Sequence, residues 1–375
     1  MDIVFRTDAS LDIGTGHVMR CMTLARALQV NGATCQFVTR ALPGHMAKRI
    51  EAEGFGVTLL PAPQCQQGPT SPPAHAHWAG VSWAQDAEET LAAFGDTRPS
   101  WLVLDHYAFD ARWQTAVRAA SKRIMVIDDL ADRPHDCDLL LDQNLGHTAY
   151  NYEQLVPDRC VSLVGPRYAL LRPEFATKRA SALADRATRG FRHLLITMGG
   201  IDQGDATSQV LKVVKGANLP VDLRITVIMG SQAPALDQVH ALAQDMPRPT
   251  EIAVDVTNMA EHMALADLAI GAAGSTTWER CALGLPTIIV QIADNQAGIA
   301  RVLSDAGAAL DPGPLHAPEI TQNLRAALAE APSLLGAMAE RAAYICDGDG
   351  AARVAIRLLA TKQSSNIIGE VFSCG

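Results

Sequence analysis

The chain has 375 residues, which is enough for two domains of ordinary size. Its formal net charge is −9 at pH 7, which is compatible with a globular protein. No basic stripe stands out, which argues against nucleic acid as a partner, because phosphate contacts require clustered Lys and Arg. The 8 scattered cysteines include no Cys-x-x-Cys pair, which argues against a structural zinc and a disulfide framework.

The N-terminus leads directly into an apolar strand pattern rather than a signal peptide, and no apolar run is long enough to span a bilayer. We therefore expect a cytoplasmic protein with no membrane partner.

The first half of the chain alternates short apolar runs with amphipathic runs. Strands are predicted at residues 3–5, 35–39, 56–60, 101–105, 124–127 and 160–164, and helices at 17–30, 43–52, 83–94 and 110–120. Strands that alternate with helices predict a parallel sheet covered on both faces. Residues 61–79, rich in Pro, Gln, His and Gly, are predicted to form a surface loop.

The same pattern restarts in the second half, after a charged, alanine-rich segment that we interpret as a linker between Arg172 and Arg189. Strands are predicted at residues 194–198, 223–229, 251–256, 268–270 and 287–291. Helices are predicted from residue 205 and at 235–244, 259–266, 295–303, 318–329, 333–344 and 351–360. We therefore predict an α/β protein with domains over residues 1–175 and 190–360 and a tail at 361–375.

The first predicted strand leads into a glycine turn, Gly14-Thr15-Gly16-His17, which opens the first predicted helix. Gly14 and Gly16 let the backbone turn tightly and let a ligand approach. A helix start offers unpaired N–H groups that suit an anion, and an imidazole there can exchange protons near pH 7. The structural alternative is a plain turn with a histidine at the helix start.

Two further strand ends carry acids and polar groups, at Asp105-His106-Tyr107 and at Asp128-Asp129-Leu130. Ligands of open α/β sheets bind outside the carboxyl ends of the strands, so both groups point toward the same crevice as His17. Helix capping and turn formation would also explain these acids. Adjacent carboxylates such as Asp128 and Asp129 point in divergent directions, and we predict no metal and no cofactor.

Small residues dominate the segment from Gly271 to Gly274, which is followed by the hydroxyl of Ser275. A backbone this bare suits a diphosphate bound by N–H groups. Glu279 follows one helical turn later, where a carboxylate can accept both hydroxyls of a ribose. We expect the nucleobase to lie near the backbone of Asn258 and Met259. Ordinary helix packing with an N-cap serine is the alternative for this segment.

A dinucleotide-binding site is the alternative for the N-terminal turn. Met19 stands where the third glycine of that fingerprint belongs, and Arg40 rather than an acid ends the second strand. An NADP site would need Arg40 on the 2′-phosphate, and His17 would intrude where the pyrophosphate must approach.

The chain resembles the glycosyltransferase-B group of nucleotide-sugar enzymes and, within it, the PseG family of hydrolases of pseudaminic acid biosynthesis. The Gly-x-Gly-His turn alone is common to the wider group, which includes the lipid-linked transferase MurG. The stretches that carry the resemblance lie at residues 5–10, 14–21, 105–107, 127–133, 140–144, 168–175, 198–200, 266–275 and 294–296.

The resemblance implies two Rossmann-like domains that face a cleft, with the sugar and the catalytic residues on residues 1–175 and UDP on 190–360. The implied reaction is hydrolysis of UDP-2,4-diacetamido-2,4,6-trideoxy-β-L-altropyranose by inverting attack of water at the anomeric carbon. His17 would be the base. Asp8 and Tyr107 would line the sugar pocket, and Asn295 and Gln296 would touch the sugar or the phosphate.

Three other activities remain open at this stage. An inverting glycosyltransferase would use the same fold with an alcohol as acceptor. A 2-epimerase on UDP-N-acetylglucosamine is a further enzyme alternative, and a non-catalytic UDP-sugar-binding protein is the alternative from another class. Tyr107 as a packing aromatic and Asn295 as a helix cap are the structural alternatives for these two residues.

Overall fold

The computed structural model describes residues 1–64, 72–293 and 296–360. The chain divides into two compact units. Of the described residues, the first unit comprises 1–170 and 349–360, and the second comprises those of Leu171–Gly348.

Within the described residues, the N-terminal unit contains a seven-stranded parallel sheet in the order β3-β2-β1-β4-β5-β6-β7. Its strands are β1 (Asp2–Thr7), β2 (Thr34–Arg40), β3 (Gly56–Leu60), β4 (Trp101–Asp105), β5 (Ile124–Ile127), β6 (Leu139–Asp142) and β7 (Val161–Val164). Its helices are α1 (Gly16–Val30), α2 (Ala47–Ala52), α3 (Trp83–Phe94) and α4 (Ala111–Val117), with short 3₁₀ turns that include Ala76–Ala79.

The described part of the C-terminal unit contains a six-stranded parallel sheet in the order β10-β9-β8-β11-β12-β13. Its strands are β8 (His193–Thr197), β9 (Arg224–Met229), β10 (Thr250–Val254), β11 (Leu268–Ala272), β12 (Thr287–Gln291) and β13 (Ala309–Pro314). Its helices are α5 (Pro173–Arg186), α6 (Ala206–Lys215), α7 (Leu236–Gln244), α8 (Met259–Leu265), α9 (Thr276–Ala282), α10 (Ala297–Asp305) and α11 (Ile320–Ile345).

The central strands of both sheets are buried on both faces and are mostly apolar, whereas the edge strands β3 and β10 are largely exposed or half-buried. In β4 and β11 every residue is buried. The predicted α/β architecture with parallel sheets is thereby confirmed.

Each sheet has a topological switch point, because the chain builds outward on one side of the first strand and then returns to the other side. The switch lies at the β1–β4 pair in the N-terminal unit and at the β8–β11 pair in the C-terminal unit. Ligands of open α/β sheets bind at the carboxyl ends of such strands. The two switch points are therefore where each unit is expected to bind a ligand.

The last described helix, α12 (Gly350–Leu359), returns to the N-terminal unit. Its apolar face joins the core that contains α1, and the Trp101 indole N–H donates a hydrogen bond to the Leu358 carbonyl oxygen at 2.9 Å. The predicted division at residues 1–175 and 190–360 therefore differs from the two units. The difference arises because an amphipathic helix packs on whichever unit offers it an apolar surface, even if the preceding segment of the chain belongs to the other unit. The predicted tail at 361–375 lies outside the described residues.

Among the described residues, no helix is both long enough and apolar enough to cross a membrane.

Candidate active site

The His17 side chain lies at the switch point of the N-terminal sheet. It is the second residue of α1, which follows β1, and its Nδ1 atom is 2.6 Å from the Oδ1 atom of Asp105, the last residue of β4. β1 and β4 are neighbours in the sheet, with Thr7 opposite Asp105. The sheet register therefore brings together two side chains that are 88 positions apart in the chain.

Asp105 is fully buried and is also bound by Arg20, one turn further along α1. The Arg20 Nε atom is 2.6 Å from Oδ2, and a terminal nitrogen is 2.7 Å from Oδ1. Burial opposes ionisation of Asp105, but the charge of Arg20 and the hydrogen bonds from Arg20 and His17 outweigh it and hold the pKa of Asp105 well below its usual range. Asp105 is therefore a carboxylate at neutral pH.

The ionised carboxylate determines which nitrogen of His17 carries the proton. A carboxylate can only accept hydrogen bonds, so Nδ1 of His17 must be the donor. The neutral ring then has its lone pair on Nε2, and no described residue donates a hydrogen bond to that atom. His17 is thus held by Asp105 in the tautomer that accepts a proton at Nε2.

Aromatic rings surround the imidazole of His17. The Tyr107 ring lies edge-on to it, with the ring centroids 4.6 Å apart, and the Trp78 ring lies at 6.4 Å. The Tyr107 hydroxyl donates to the Oδ2 atom of Asp129 at 2.6 Å, and Arg20 reaches the same oxygen. Burial and the Asp129 carboxylate raise the pKa of Tyr107 well above its usual value, so Tyr107 stays a phenol.

Asp8 lies next to this group but is only 1% exposed. Its Oδ1 atom accepts from Arg6 and from the Arg40 backbone N–H, both at 2.7 Å, and the His106 ring is 3.2 Å from its Oδ2 atom. Although burial opposes ionisation, the charge of Arg6 holds the pKa of Asp8 well below its usual range. The structure thus places Asp8 inside a buried polar network rather than at an open surface.

The glycines of the N-terminal turn leave open space. Gly14 has a φ of +77°, which favours glycine, and its backbone N–H donates to the Ser10 carbonyl oxygen at 2.8 Å. Gly16 begins α1, and a Cβ atom built on either glycine would meet no described atom within 4 Å. Packing within the chain therefore does not require glycine at Gly16, whereas the approach of a ligand would.

In the C-terminal unit, the glycine-rich segment follows β11 at the second switch point. A Cβ atom on Gly271 would lie 2.5 Å from a terminal nitrogen of Arg280 and 3.2 Å from the Thr197 carbonyl oxygen, so packing requires glycine there. A Cβ atom on Gly274 would meet nothing within 4 Å among the described residues, and Ser275 is exposed. This turn is open at Gly274 and Ser275 and closed at Gly271.

Arg280 lies beneath that turn and is 1% exposed. Its guanidinium donates to the Ala272 carbonyl oxygen at 2.8 Å and to the Thr277 hydroxyl at 3.1 Å. Burial lowers the pKa of Arg280 to about 10, so the side chain remains a cation at neutral pH. The described residues supply no carboxylate within ion-pair distance of this guanidinium, so no direct ion pair neutralises its charge.

Glu279 begins the second turn beside the same segment. It is partly buried, and no described residue donates a hydrogen bond to its carboxyl group; the nearest cation is Arg172, at 3.8 Å. Burial raises the pKa of Glu279 to about 7, against the opposing charges of Arg172 and Arg280. The carboxyl group therefore has unused acceptor capacity.

The remaining predicted residues that the structure describes lie at the starts of helices in the C-terminal unit. Asn258 is exposed and precedes α8, Met259 is its first residue, and Gln296 precedes α10 and accepts a hydrogen bond from the Ile292 N–H at 3.0 Å. Asn295 lies outside the described residues.

Residues with chemistry that the sequence pattern does not single out are Arg20, Trp78 and the orienting role of Asp105. The sequence signals for these residues are weak, because Arg20 is typical of a polar position in an amphipathic helix and Trp78 falls in a predicted loop. Asp128 and Asp129 face different cations, Arg133 and Arg20. Across the described ranges, no group of three or more His, Cys, Asp or Glu side chains is placed to hold a metal.

The chain is similar to several known proteins. Residues 193–337 match the Glycosyltransferase family 28 C-terminal domain. The UDP-2,4-diacetamido-2,4,6-trideoxy-β-L-altropyranose hydrolase of Campylobacter jejuni is 24% identical over 308 residues, which cover 82% of this chain and 97% of that protein. An uncharacterised protein of Methanocaldococcus jannaschii is 24% identical over 295 residues, or 77% of this chain, and the chain spans only 55% of its length.

Among solved structures, MurG of Acinetobacter baumannii is similar with a TM-score of 0.67 and 17% identity, over 95% of this chain and 98% of MurG. At this identity the likeness shows the fold alone. The predicted glycosyltransferase-B fold is confirmed, and so is the resemblance to the hydrolase. The chain therefore has a glycosyltransferase-B fold and resembles the PseG family of UDP-sugar hydrolases.

Proposed function

We propose that this protein hydrolyses UDP-2,4-diacetamido-2,4,6-trideoxy-β-L-altropyranose to the free sugar and UDP, by inverting attack of water at the anomeric carbon. The observation that carries the proposal is the His17–Asp105 pair at the switch point, with Nε2 of His17 unoccupied. The Campylobacter jejuni relative aligns over 82% of this chain and 97% of its own length, and it is a hydrolase of this substrate. This supports the choice of reaction.

The reaction needs one base and little acid catalysis. A water proton moves to Nε2 of His17 while the water oxygen forms a bond to the anomeric carbon. The bond from that carbon to the β-phosphate oxygen breaks, and its electron pair leaves with UDP. Because the diphosphate is a good leaving group, stabilising its charge is sufficient.

We assign UDP to the C-terminal unit. The open backbone at Gly274 and Ser275 and the uncompensated charge of Arg280 suit the diphosphate. Glu279 would accept the ribose hydroxyls, and the backbone of Asn258 and Met259 would face uracil. Gln296 and Asn295 would touch the sugar or the phosphate.

The N-terminal unit would hold the sugar beside His17. Gly14 and Gly16 would let the substrate approach the backbone, and Tyr107 would line the pocket with its ring. Asp8 would act from behind this surface, since its carboxylate is engaged by Arg6 and the Arg40 backbone.

The test of the base is turnover and UDP binding of His17→Ala and His17→Asn. General-base catalysis supplies about 10²–10⁴-fold, so both variants should lose turnover in that range. Their affinity for UDP, measured by calorimetry, should stay unchanged, because UDP is assigned to the other unit. Near-normal turnover with weaker substrate binding would contradict the assignment of His17 as the base.

An inverting glycosyltransferase is the second candidate, favoured by the match to the Glycosyltransferase family 28 C-terminal domain and the likeness to MurG. In that reaction Nε2 of His17 would take the proton of an acceptor alcohol. Incubation of UDP-sugars in ¹⁸O-labelled water without acceptor separates the two. Hydrolysis at carbon places the label on the sugar, attack at phosphorus places it on UDP, and a transferase or a non-catalytic binding protein releases no UDP. An epimerase would instead yield an isomeric UDP-sugar.

A further inference from the structure

Trp78 stands on a segment that the proposed reaction leaves unused. Residues 72–80 form a loop with a 3₁₀ turn at Ala76–Ala79, next to α3. The Trp78 ring is stacked near the Tyr107 ring, with centroids 5.8 Å apart and planes at 24°, and it lies edge-on to His17. The His75 ring also packs against Trp78, with the ring centroids 4.5 Å apart.

The loop is anchored to the N-terminal unit rather than free. Ala76 and Ala79 are buried in it, and the Arg112 guanidinium donates to the Pro72 carbonyl oxygen at 2.7 Å. Gly80 ends the turn at a φ of +70°, and its N–H donates to the His77 carbonyl oxygen at 3.1 Å. The position of the Trp78 ring beside His17 is thus determined by several independent contacts.

Trp78 also differs from two other tryptophans of the same unit. The indole N–H groups of Trp101 and Trp113 donate to the Leu358 carbonyl oxygen and to Asp86. For the N–H of Trp78, the described residues supply no acceptor, and the ring is half-buried. Trp78 is therefore a half-buried aromatic ring beside the proposed base, and its indole N–H is a donor without a described acceptor.

We propose that Trp78 recognises the acylamino group on C2 of the sugar, with its indole N–H donating to the acyl carbonyl oxygen and its ring contacting the acyl methyl. An acylamino group combines one strong acceptor with one apolar methyl, which matches what Trp78 presents. C2 is bonded to the anomeric carbon, so a base that reaches water at that carbon lies next to the C2 substituent. This inference rests on the proposed function and adds a specificity-determining residue to it.

The experiment compares Trp78→Phe, which keeps a ring and removes the N–H, with Trp78→Ala, which removes both. The substrates are the UDP-sugar with an acetamido group on C2 and the same UDP-sugar with a hydroxyl there. Loss of one hydrogen bond should reduce the preference for the acetamido substrate about 3- to 10-fold in Trp78→Phe, through KM rather than kcat. Trp78→Ala should reduce it further.

His77→Ala is the matched control, because His77 is exposed on the same loop and meets the Trp78 ring only edge-on, at 6.2 Å, with no ring contact to His17 or Tyr107 among the described residues. Its preference should stay within about 2-fold of the parent chain. Calorimetric Kd values for UDP, which lacks the sugar, should be unchanged in all three variants.

The same calorimetry separates the two proposals. If the parent chain releases no UDP, the hydrolase proposal fails, and the Kd of the acetamido UDP-sugar relative to UDP still decides the role of Trp78. An unchanged preference in a folded Trp78→Phe and Trp78→Ala, or an equal loss for the acetamido and hydroxyl substrates, would overturn the inference.

Discussion

Replacing Asp105 with Asn should remove most turnover while keeping the shape of the side chain. Asp105 holds Nδ1–H of His17 at 2.6 Å and leaves the lone pair on Nε2. An amide at this position can donate to Nδ1 instead, which moves the ring proton to Nε2. A ring protonated at Nε2 cannot take a proton from water, so the base is lost although His17 is still present.

The magnitude follows from what the carboxylate does. If the base contributes about 10²–10⁴-fold, the wrong tautomer forfeits most of that factor in kcat, with little change in UDP affinity. The substitution also leaves the buried Arg20 with Asp129 as its remaining carboxylate partner, at 2.5 Å. We therefore expect the free energy of unfolding to fall by about 3 kcal/mol, at the low end for breaking a buried ion pair.

Asp142→Asn is the matched control for this prediction. Asp142 ends β6, is fully buried and lies 2.5 Å from Nδ1 of His147, so it shares the histidine contact of Asp105, although no described arginine pairs with it. UDP release and urea unfolding should be measured for both variants. A comparable loss of turnover in the two would refute the tautomer argument, since the loss would then follow the loss of stability.

Two further predictions concern the C-terminal unit. Burial raises the pKa of Glu279 to about 7, and the ribose hydroxyls need the ionised carboxylate as acceptor, so UDP affinity should fall as the pH drops from about 8 to about 6. In Glu279→Gln, calorimetry should show UDP binding weakened by about 1–3 kcal/mol, and this pH dependence should be absent. Unchanged affinity in that variant would contradict the ribose assignment. Gly271→Ala should destabilise folding by about 1–3 kcal/mol, because its Cβ would lie 2.5 Å from Arg280, whereas Gly274→Ala should keep the parent Tm and weaken UDP more than uridine. Equal effects of the two substitutions on Tm would contradict the difference in packing.

Strongly apolar strands could be predicted from the sequence, but two others, β6 and β13, could not. β6 is four residues long and runs directly into a polar segment, and β13 contains two prolines and a glycine. Both lie far from the first strand in their sheets, where they pair with an established neighbour on one side. Pairing with β5 and β12 compensates for what the local sequence lacks.

The predicted linker is a helix for a related reason. The charged segment after Arg172 forms α5, and its arginines bind backbone carbonyl oxygens of the C-terminal unit. Arg179 donates to Ala282, and Arg186 donates to Met263 and Ala266 at the end of α8. Charged side chains that satisfy helix C-termini have the same composition as a solvent-exposed linker, so the sequence alone does not separate the two.

α11 continues through Pro332, where the sequence pattern predicts two helices. Proline in a helix interior costs about 3 kcal/mol. Leu328 and Ala331 before it and Met338 after it are buried, so packing on both sides offsets that cost. A local helix signal cannot include this contribution.

His17, the base that we propose, is singled out by its turn in the sequence, but comparing it with the other histidines required the structure. His106 and His135 are each 3% exposed. Nδ1 of His106 accepts from the Ala108 N–H at 3.0 Å and its Nε2 lies 3.2 Å from Asp8, whereas Nδ1 of His135 lies 3.1 Å from the Gln114 amide and its Nε2 lies 3.8 Å from Asp128. Burial also lowers the pKa of His106. Both rings are shielded from water by burial, whereas His17 is 9% exposed.

His147 is the closest structural rival of His17, and its charge distinguishes it. The hydrogen bond that Nδ1 of His147 makes to the Asp142 carboxylate raises the pKa of His147, so at a given pH more of this ring is protonated than of an ordinary histidine and less of it can act as a base. Turnover of His147→Gln, measured as UDP release, should therefore stay within about 3-fold of the parent chain, against about 10²–10⁴-fold lost in His17→Ala. The acid limb of the rate–pH profile should also be the same in His147→Gln. Were His147→Gln to lose as much turnover as His17→Ala, the reaction would need both rings, and a single base at Nε2 of His17 would no longer account for it.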